Sequence, residues 1–337
     1  MTQTPIRTLH LPVAAQPTVD SLVDIARTGE KHGYKRAWLP ETWGRDAVTV
    51  LTQIAAGTEE IGIGPSIANV YSRSPALLGQ TAATLQEVSD GRMRLGIGPS
   101  GPAVIGGWHG VDFDRPLRRT RESLEIARKV MNGGTVDYDG EIFTLGGFRL
   151  RCDPPAEPVP IDAAGMGPKS VELAGRFADG WHAIVLTPDG LRTRLEDFRR
   201  GARLGDRDPT ELRTTLSITA CALEDGDRAR ELAREHTAFY VGAMGTYYRE
   251  SLARQGYEEE AAEIATAWAN GDRERACSHV SDSLLAELGA VGTPERAREE
   301  VRKFEGIDGL DAIAIGFPRG ASPTQVESTI EALAPGR

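Results

Sequence analysis

Residues 93–102 read Met-Arg-Leu-Gly-Ile-Gly-Pro-Ser-Gly-Pro, and how this stretch is taken decides the fold. Gly96-Ile97-Gly98-Pro99-Ser100-Gly101 fits the GxGxxG fingerprint of a dinucleotide-binding sheet. That fingerprint works only where the third glycine enters the first turn of a helix, so that a pyrophosphate meets free backbone N–H groups. Here Pro102, Gly106 and Gly107 follow, and helical periodicity resumes only near Pro116. The other reading is a strand end followed by a loop. In a (β/α)8 barrel such strand ends carry the active site.

Outward from this stretch the chain alternates between two patterns. Apolar or β-branched runs occupy 8–13, 36–39, 61–67, 93–97, 159–163, 180–185, 215–222 and 311–315. Helical periods lie between them. One covers 19–32, with Leu22, Ile25 and Ala26 on one face; others cover 77–88 and 118–131. Eight strands alternating with helices predict a parallel sheet. Closure at eight predicts a (β/α)8 TIM barrel, a fold of roughly 250 residues plus insertions. The 337 residues, 40% of them hydrophobic, suit one barrel domain spanning 1–337. Two segments exceed a minimal barrel. Residues 133–158 are rich in Gly and Pro and predict a small β excursion. Residues 228–288 are charged and helical, an insertion before the last strand.

Composition narrows the function. The formal charge is −10, and only five of the 39 basic residues are Lys, leaving 34 Arg. An acidic, Lys-poor chain argues against a nucleic-acid partner. No run approaches the length of a membrane span. The N-terminal MTQTPIRTLH lacks a basic region followed by an apolar run. With three scattered cysteines (Cys152, Cys221 and Cys277), this predicts a cytoplasmic protein without disulfides. The six histidines and three cysteines show no metal-ligand spacing, so no metal is expected.

Three strand ends carry candidate site residues. At 160–180, a strand ends near Ala164, a glycine turn follows and a helix begins near Lys169. Backbone N–H groups at such a helix start, beside Lys169 and Ser170, suit an anion. The plain alternative is a turn that needs glycine for its geometry, with Gly167 as the residue expected at positive φ. After the second strand come Glu41, Thr42, Trp43, Arg45 and Asp46. A carboxylate, a hydroxyl and an indole at a barrel strand end suit a small-molecule site, and equally a loop that caps the next helix. His182 ends the sixth strand, where it could face a pocket, and His109 lies in the loop after the fourth. For both, a satisfied polar side chain is a more frequent role than a catalyst.

The segments GTEEIGIGPSIANVYSRSPALLGQTAATLQEVSDGRMRLGIGPSGP (57–102), AAGMGPKSVELAGRFADGW (163–181) and 270–312 together resemble the luciferase-like oxidoreductases. Within them the chain most resembles the deazaflavin-dependent methylenetetrahydromethanopterin reductases. The resemblance implies coenzyme F420, with FMN as the alternative, and hydride transfer at the deazaflavin C5. It implies a homo-oligomer, dimer or tetramer. It also implies a non-prolyl cis peptide at Ser66–Ile67 behind the coenzyme ring and a polar contact from Asn69. Gly98, Pro99 and Ser100 fall at backbone contacts after the fourth strand. Gly165, Met166, Gly167, Lys169 and Ser170 fall at the phosphate turn.

The chain also departs from that pattern. Where relatives carry an Asp, often followed by a His, at the end of the second strand, this chain has Glu41 and Thr42. Leu11 and Gly101 fall where the reductases have acidic residues. Glu41 is therefore the expected catalytic group, with Thr42, Trp43 and His182 as pocket walls around an unidentified small organic substrate, a C1-pterin being one candidate. An FMN-dependent monooxygenase, a nicotinamide-using reductase and a non-catalytic flavin-binding barrel are the competing readings.

Overall fold

The computed structural model describes residues 4–13, 16 and 18–336. Its strands are β1 (Ile6–His10), β2 (Arg36–Leu39), β3 (Gly62–Pro65), β4 (Ala68–Asn69), β5 (Leu95–Gly98), β6 (Val136–Asp139), β7 (Thr144–Phe148), β8 (Ile161–Ala164), β9 (Gly180–Ile184), β10 (Arg213–Ala222), β11 (Gly289–Gly292) and β12 (Ala312–Gly316). β3 and β4 are halves of one strand, interrupted at Ser66–Ile67, where the peptide bond is cis. Setting aside the β6–β7 hairpin and the short β11, eight strands remain, and each is followed by helix. Among the described residues no helix is long and apolar enough to cross a membrane.

The chain divides into two compact units. One comprises 36–182 and 196–213. Here the pairing is parallel and follows chain order: β2 with β3, β4 with β5, β5 with β8, and β8 with β9. A bridge from Ile63 to Met93 joins β3 to the residues before β5. A doubly wound sheet would reverse its order at a switch point; this one does not. The other unit comprises 1–35, 183–195 and 214–337. In it β1 pairs with β12, Ile6 opposite Ala312, and β12 pairs with β10. Pairing of the first strand with the last is the closure of a barrel, as the strand count predicts.

The expected helices form where their caps and apolar faces lie. Thr18 accepts from the Ser21 N–H and starts the helix Val19–Lys31, which buries Leu22, Val23, Ile25, Ala26 and Gly29. Ser74 caps Pro75–Val88 in the same way. Each such cap contributes about 1 kcal/mol. The two long segments also fold as read. Residues 136–148 make the antiparallel β6–β7 hairpin. The Glu122 carboxylate holds its turn by accepting N–H groups from Glu141, Ile142 and Phe143. Between β10 and β11, five helices from Gly226 to Leu288 pack around Leu232, Ala233, Val241, Leu252, Ile264 and Leu284.

One local expectation fails. The residues after Gly101 are not loop as far as Pro116; a six-residue helix runs from Pro102 to Gly107. Proline at its first position supplies a preset φ without wasting a donor, and Val104 and Ile105 are buried beneath it. The helix is too short to show as periodicity, and it stops at the Gly106-Gly107 pair.

Candidate active site

The strand ends of the 36–182 unit converge through the absence of side chains. A Cβ on Gly96 would lie 2.3 Å from the Pro65 carbonyl oxygen. One on Gly98 would lie 3.3 Å from Ile67 Cγ1 and 3.2 Å from Ala164 Cβ. The two glycines of the GxG stretch therefore serve close strand packing, not a pyrophosphate. Ser66 and Ile67 are half-buried at this junction. Pro99 follows, and Ser100 sits at φ +59, a conformation non-glycine residues seldom adopt. Gly101 caps the short helix and brings no carboxylate.

β8 leads from there into the turn 165–170. The helix Pro168–Phe177 opens with a proline, and its first backbone bond runs from the Val171 N–H to Gly167 O at 3.0 Å. The N–H groups of Lys169 and Ser170 precede that ladder and have no carbonyl of the helix to meet. Ser170 locks the turn. The Gly167 N–H donates to its Oγ at 3.2 Å, and that hydroxyl donates to Gly167 O at 2.8 Å. Trp181 Nε1 donates to Gly165 O at 2.9 Å. Gly167 itself is extended, φ −94 and ψ 160, and a Cβ there would meet only Ser170 Oγ, at 3.9 Å. The expected positive φ at Gly167 is therefore corrected. The glycine the turn demands is Gly165, whose Cβ would lie 2.6 Å from Ser170 Oγ and 2.7 Å from its Cβ. The demand is for space, not for a special dihedral. Met166 lies half-buried between them.

After β2, Glu41 is held by Arg73, whose Nη2 donates to Oε1 at 2.7 Å and to Asp46 Oδ2 at 2.5 Å. Glu41 is 9% exposed, and its Oε2 is buried with no hydrogen-bond partner. Asp46 caps the helix Ala47–Gly57 through the Thr49 N–H and hydroxyl. Its carboxyl lies below its ordinary value: burial pushes it up, but the Thr49 hydrogen bonds and Arg73 outweigh that. The helix-capping reading of this loop thus holds for Asp46. Thr42 is half-buried and Trp43 is 46% exposed. Arg73 escaped the sequence reading, because a lone Arg in a polar turn carries no pattern.

Asn69 and His182 are both engaged by protein partners. Asn69 Oδ1 accepts the N–H groups of Tyr71 and Ser72, and its amide nitrogen meets His109 Nε2 at 3.3 Å. His182 is 5% exposed. Its Nδ1 lies 2.9 Å from Ser66 Oγ and its Nε2 lies 3.0 Å from Asp162 Oδ2. Trp38 stands edge-on against its ring at 4.3 Å. Trp181, one residue earlier on β9, faces Phe198 of a surrounding helix, so alternation turns His182 inward. It is buried against Ser66. Behind it in turn, Arg94 grips Asp162 in two places, Nε to Oδ2 at 2.7 Å and Nη2 to Oδ1 at 2.6 Å. Burial alone would raise the Asp162 carboxyl; the Arg94 charge and the bonds from His182 and Arg94 hold it well below the usual carboxylate range. Asp162 and Arg94 were also missed. Their signal was a charge inside each of two otherwise apolar strand runs, PIDAAG and MRLGIG. Among the described residues no cluster of His, Cys, Asp and Glu could hold a metal.

A mostly parallel, nearly closed barrel sheet with helices around it defines the (β/α)8-barrel class. The model of the luciferase-like monooxygenases matches residues 2–309, and the chain belongs to that family. It is 30% identical to 5,10-methylenetetrahydromethanopterin reductase from Archaeoglobus fulgidus, over 87% of this chain and 88% of the relative. It is 27% identical to an F420-dependent glucose-6-phosphate dehydrogenase from Amycolatopsis mediterranei, over 65% of this chain and 69% of the relative. The solved F420-dependent tetrahydromethanopterin reductase of Methanopyrus kandleri superposes with a TM-score of 0.85 at 23% identity, covering 99% of this chain and 98% of that one.

Proposed function

We propose that the chain is a coenzyme F420-dependent oxidoreductase that acts on a small organic substrate, with 1–337 working as one catalytic domain. Relatives of that activity align along most of the chain. The observation that carries the reading is the buried, unpartnered Oε2 of Glu41 at the end of β2. An acceptor left unpaired in this way costs about 1–3 kcal/mol, so its place calls for a donor from a bound molecule. The coenzyme's phosphate tail has a place as well. The Lys169 and Ser170 N–H groups and the exposed Lys169 ammonium suit a phosphate.

When bound, the deazaflavin supplies a hydride acceptor or donor at its C5. The chain's own residues do the remaining work. Residues 165–170 hold the phosphate tail, Ser66–Ile67 and Gly98–Ser100 back the ring, and Arg73 fixes one oxygen of Glu41 so that the other points to a single donor. Thr42 and Trp43 border the substrate. The missing acidic residues at Leu11 and Gly101 favour a substrate other than the reductases' pterin. We infer a homo-oligomer, dimer or tetramer, from the family resemblance, and a cytoplasmic location from the three scattered cysteines.

Fluorescence titration tests the coenzyme. F420 is expected to bind and FMN to bind at least tenfold more weakly; tighter FMN binding overturns the choice in favour of a monooxygenase. Glu41→Gln keeps the shape and removes the charge. It is expected to lower turnover with a redox dye at least tenfold while F420 affinity changes less than threefold. A Gln variant that turns over like the parent removes Glu41 from the chemistry, and a parent that binds F420 but reduces no dye is a binder only.

A further inference from the structure

An open cavity of about 970 Å³ lies in the helical insertion, within the unit that holds β1, β10 and β12. His236, Phe239, Trp268, Arg273 and Arg319 line it. His236 and Phe239, three residues apart, share one face of the helix Gly226–Ala243. Trp268 comes from the helix Glu258–Ala269 and fits against the first because residue 242 is glycine. A Cβ there would lie 2.2 Å from the indole Cγ. Arg273 opens the next helix. Arg319 follows β12, whose last residue, Gly316, pairs with His10 at the end of β1. C-terminal strand ends of this kind carry the active sites of barrel enzymes.

The two arginines are held by aromatic rings. Arg319 Cζ lies 3.6 Å from the Phe239 ring centroid, and Arg273 Cζ lies 3.6 Å from that of Trp268. The rings themselves meet edge to face at 5.8 Å. Stacking takes one face of each guanidinium and leaves its N–H edge, the edge that forks a carboxylate. Among the described residues neither guanidinium has a carboxylate partner; Arg273 gives one donor to Trp268 O, at 2.8 Å. His236 adds a donor. Its Nδ1 accepts the Arg319 backbone N–H at 3.2 Å, so in a neutral ring the hydrogen sits on Nε2. Burial, with Arg319 and His10 alongside, pulls this ring down to about 3, which keeps it neutral near pH 7. Among the described residues Nε2 has no partner.

The other charges on the wall limit what fits. Glu231 pairs with Arg228, and Asp282 pairs with Arg234. Glu235 and Glu274 also line the cavity. Set against Arg273 and Arg319, these two leave the wall balanced, so it accepts one negative charge more readily than two. We propose that this cavity binds a flat organic acid with a single carboxylate. Arg319 forks the carboxylate, His236 Nε2–H donates to it, and the apolar body lies on Phe239 and Trp268. Naming such an acid as the substrate class rests on the hydride-transfer reading above; the binding itself does not.

The test is calorimetric titration of the full chain, without coenzyme, at about pH 8, where a phosphate monoester carries close to two charges. The probes are benzoate, benzamide and phenyl phosphate, which share a ring and differ in charge. Benzoate is expected to bind with a Kd of about 1 mM or tighter. Benzamide and phenyl phosphate should bind at least tenfold more weakly. Arg319 is exposed, so Arg319→Gln should leave the urea midpoint unchanged. It should weaken benzoate at least tenfold and keep benzamide within threefold. Arg319→Lys keeps the charge without the fork and should fall between parent and Gln. Equal affinity for benzoate and benzamide overturns the site, and so does phenyl phosphate binding more tightly than benzoate. Benzoate binding that survives Arg319→Gln but is lost in Lys169→Gln places the acid at the phosphate turn and also overturns it. Failure of F420 to bind the parent, titrated separately, removes the substrate reading and leaves the acid site standing. Failure of benzoate does the reverse.

Discussion

Two glycine-rich stretches at neighbouring strand ends, Gly96–Gly101 and the turn 165–170, look alike in sequence and behave differently in the structure. In the first, the glycines lie inside β5 and are needed because Pro65 O and Ile67 press against the strand. The helix that follows has six residues and a glycine cap with no side chain to offer. In the second, the glycines lie beyond the strand, Ser170 folds back on Gly167, and a ten-residue helix begins with two unpaired N–H groups. The first stretch is strand packing; the second is the anion end of the site proposed above. Glycine spacing alone cannot tell these apart, because Gly answers equally to missing space and to an unusual dihedral.

The difference predicts a graded set of effects, the largest at the packing glycine. Gly96→Ala puts a methyl 2.3 Å from a backbone oxygen. The strands must separate, which costs about 1–3 kcal/mol or somewhat more. Urea unfolding should show the loss, and coenzyme affinity should fall only as far as folded protein is lost. A variant as stable as the parent would break the claim that β3 and β5 are held together at this point.

Gly165→Val should reverse that balance. Its Cβ collides with Ser170, not with a neighbouring strand, so the turn opens while the barrel strands stay paired. F420 binding is expected to weaken by about 1–3 kcal/mol, the scale of hydrogen bonds left unmade. Unfolding should shift by no more than about 1 kcal/mol, the worth of a lost cap. A large loss of stability with intact binding would exchange the roles of the two stretches.

The fold was legible from the sequence because the barrel rests on patterns that recur. Eight apolar runs separated by amphipathic helices need no knowledge of partners. The hairpin at 136–148 and the helices from Gly226 to Leu288 were likewise visible as excess length of the right composition. The site was legible in outline only. Glu41, Ser66 and the turn 165–170 could be placed at strand ends, but what each one touches depends on residues far away in the chain. Glu41 meets Arg73, and Ser66 meets His182, 116 residues on. The charge of Asp162 is answered 68 residues earlier by Arg94. Such pairings leave no local period, and a lone charge within a strand run is their only trace. The short helix at Pro102–Gly107 escaped for the opposite reason: it is local, but shorter than the two turns a period needs.

The smallest effect expected is also the sharpest check on how the anion turn works. Were Gly167 held at positive φ, a β-branched residue there would wreck the turn, and Gly167→Val would weaken coenzyme binding as much as Gly165→Val. The structure has it extended, in a region any residue adopts, with open space where a Cβ would point. The hydrogen bonds that lock the turn use the backbone N–H and carbonyl of residue 167, and valine keeps both. What changes is the preference of an N-cap position for glycine over valine, worth under about 1 kcal/mol. Gly167→Val should therefore bind F420 within about fivefold of the parent and stay folded, while Gly165→Val loses at least tenfold. Equal losses in the two variants would show that the turn responds to bulk anywhere along it. Loss at Gly167 alone would return the conformational demand to that residue, and the geometry assigned to the turn would then be wrong.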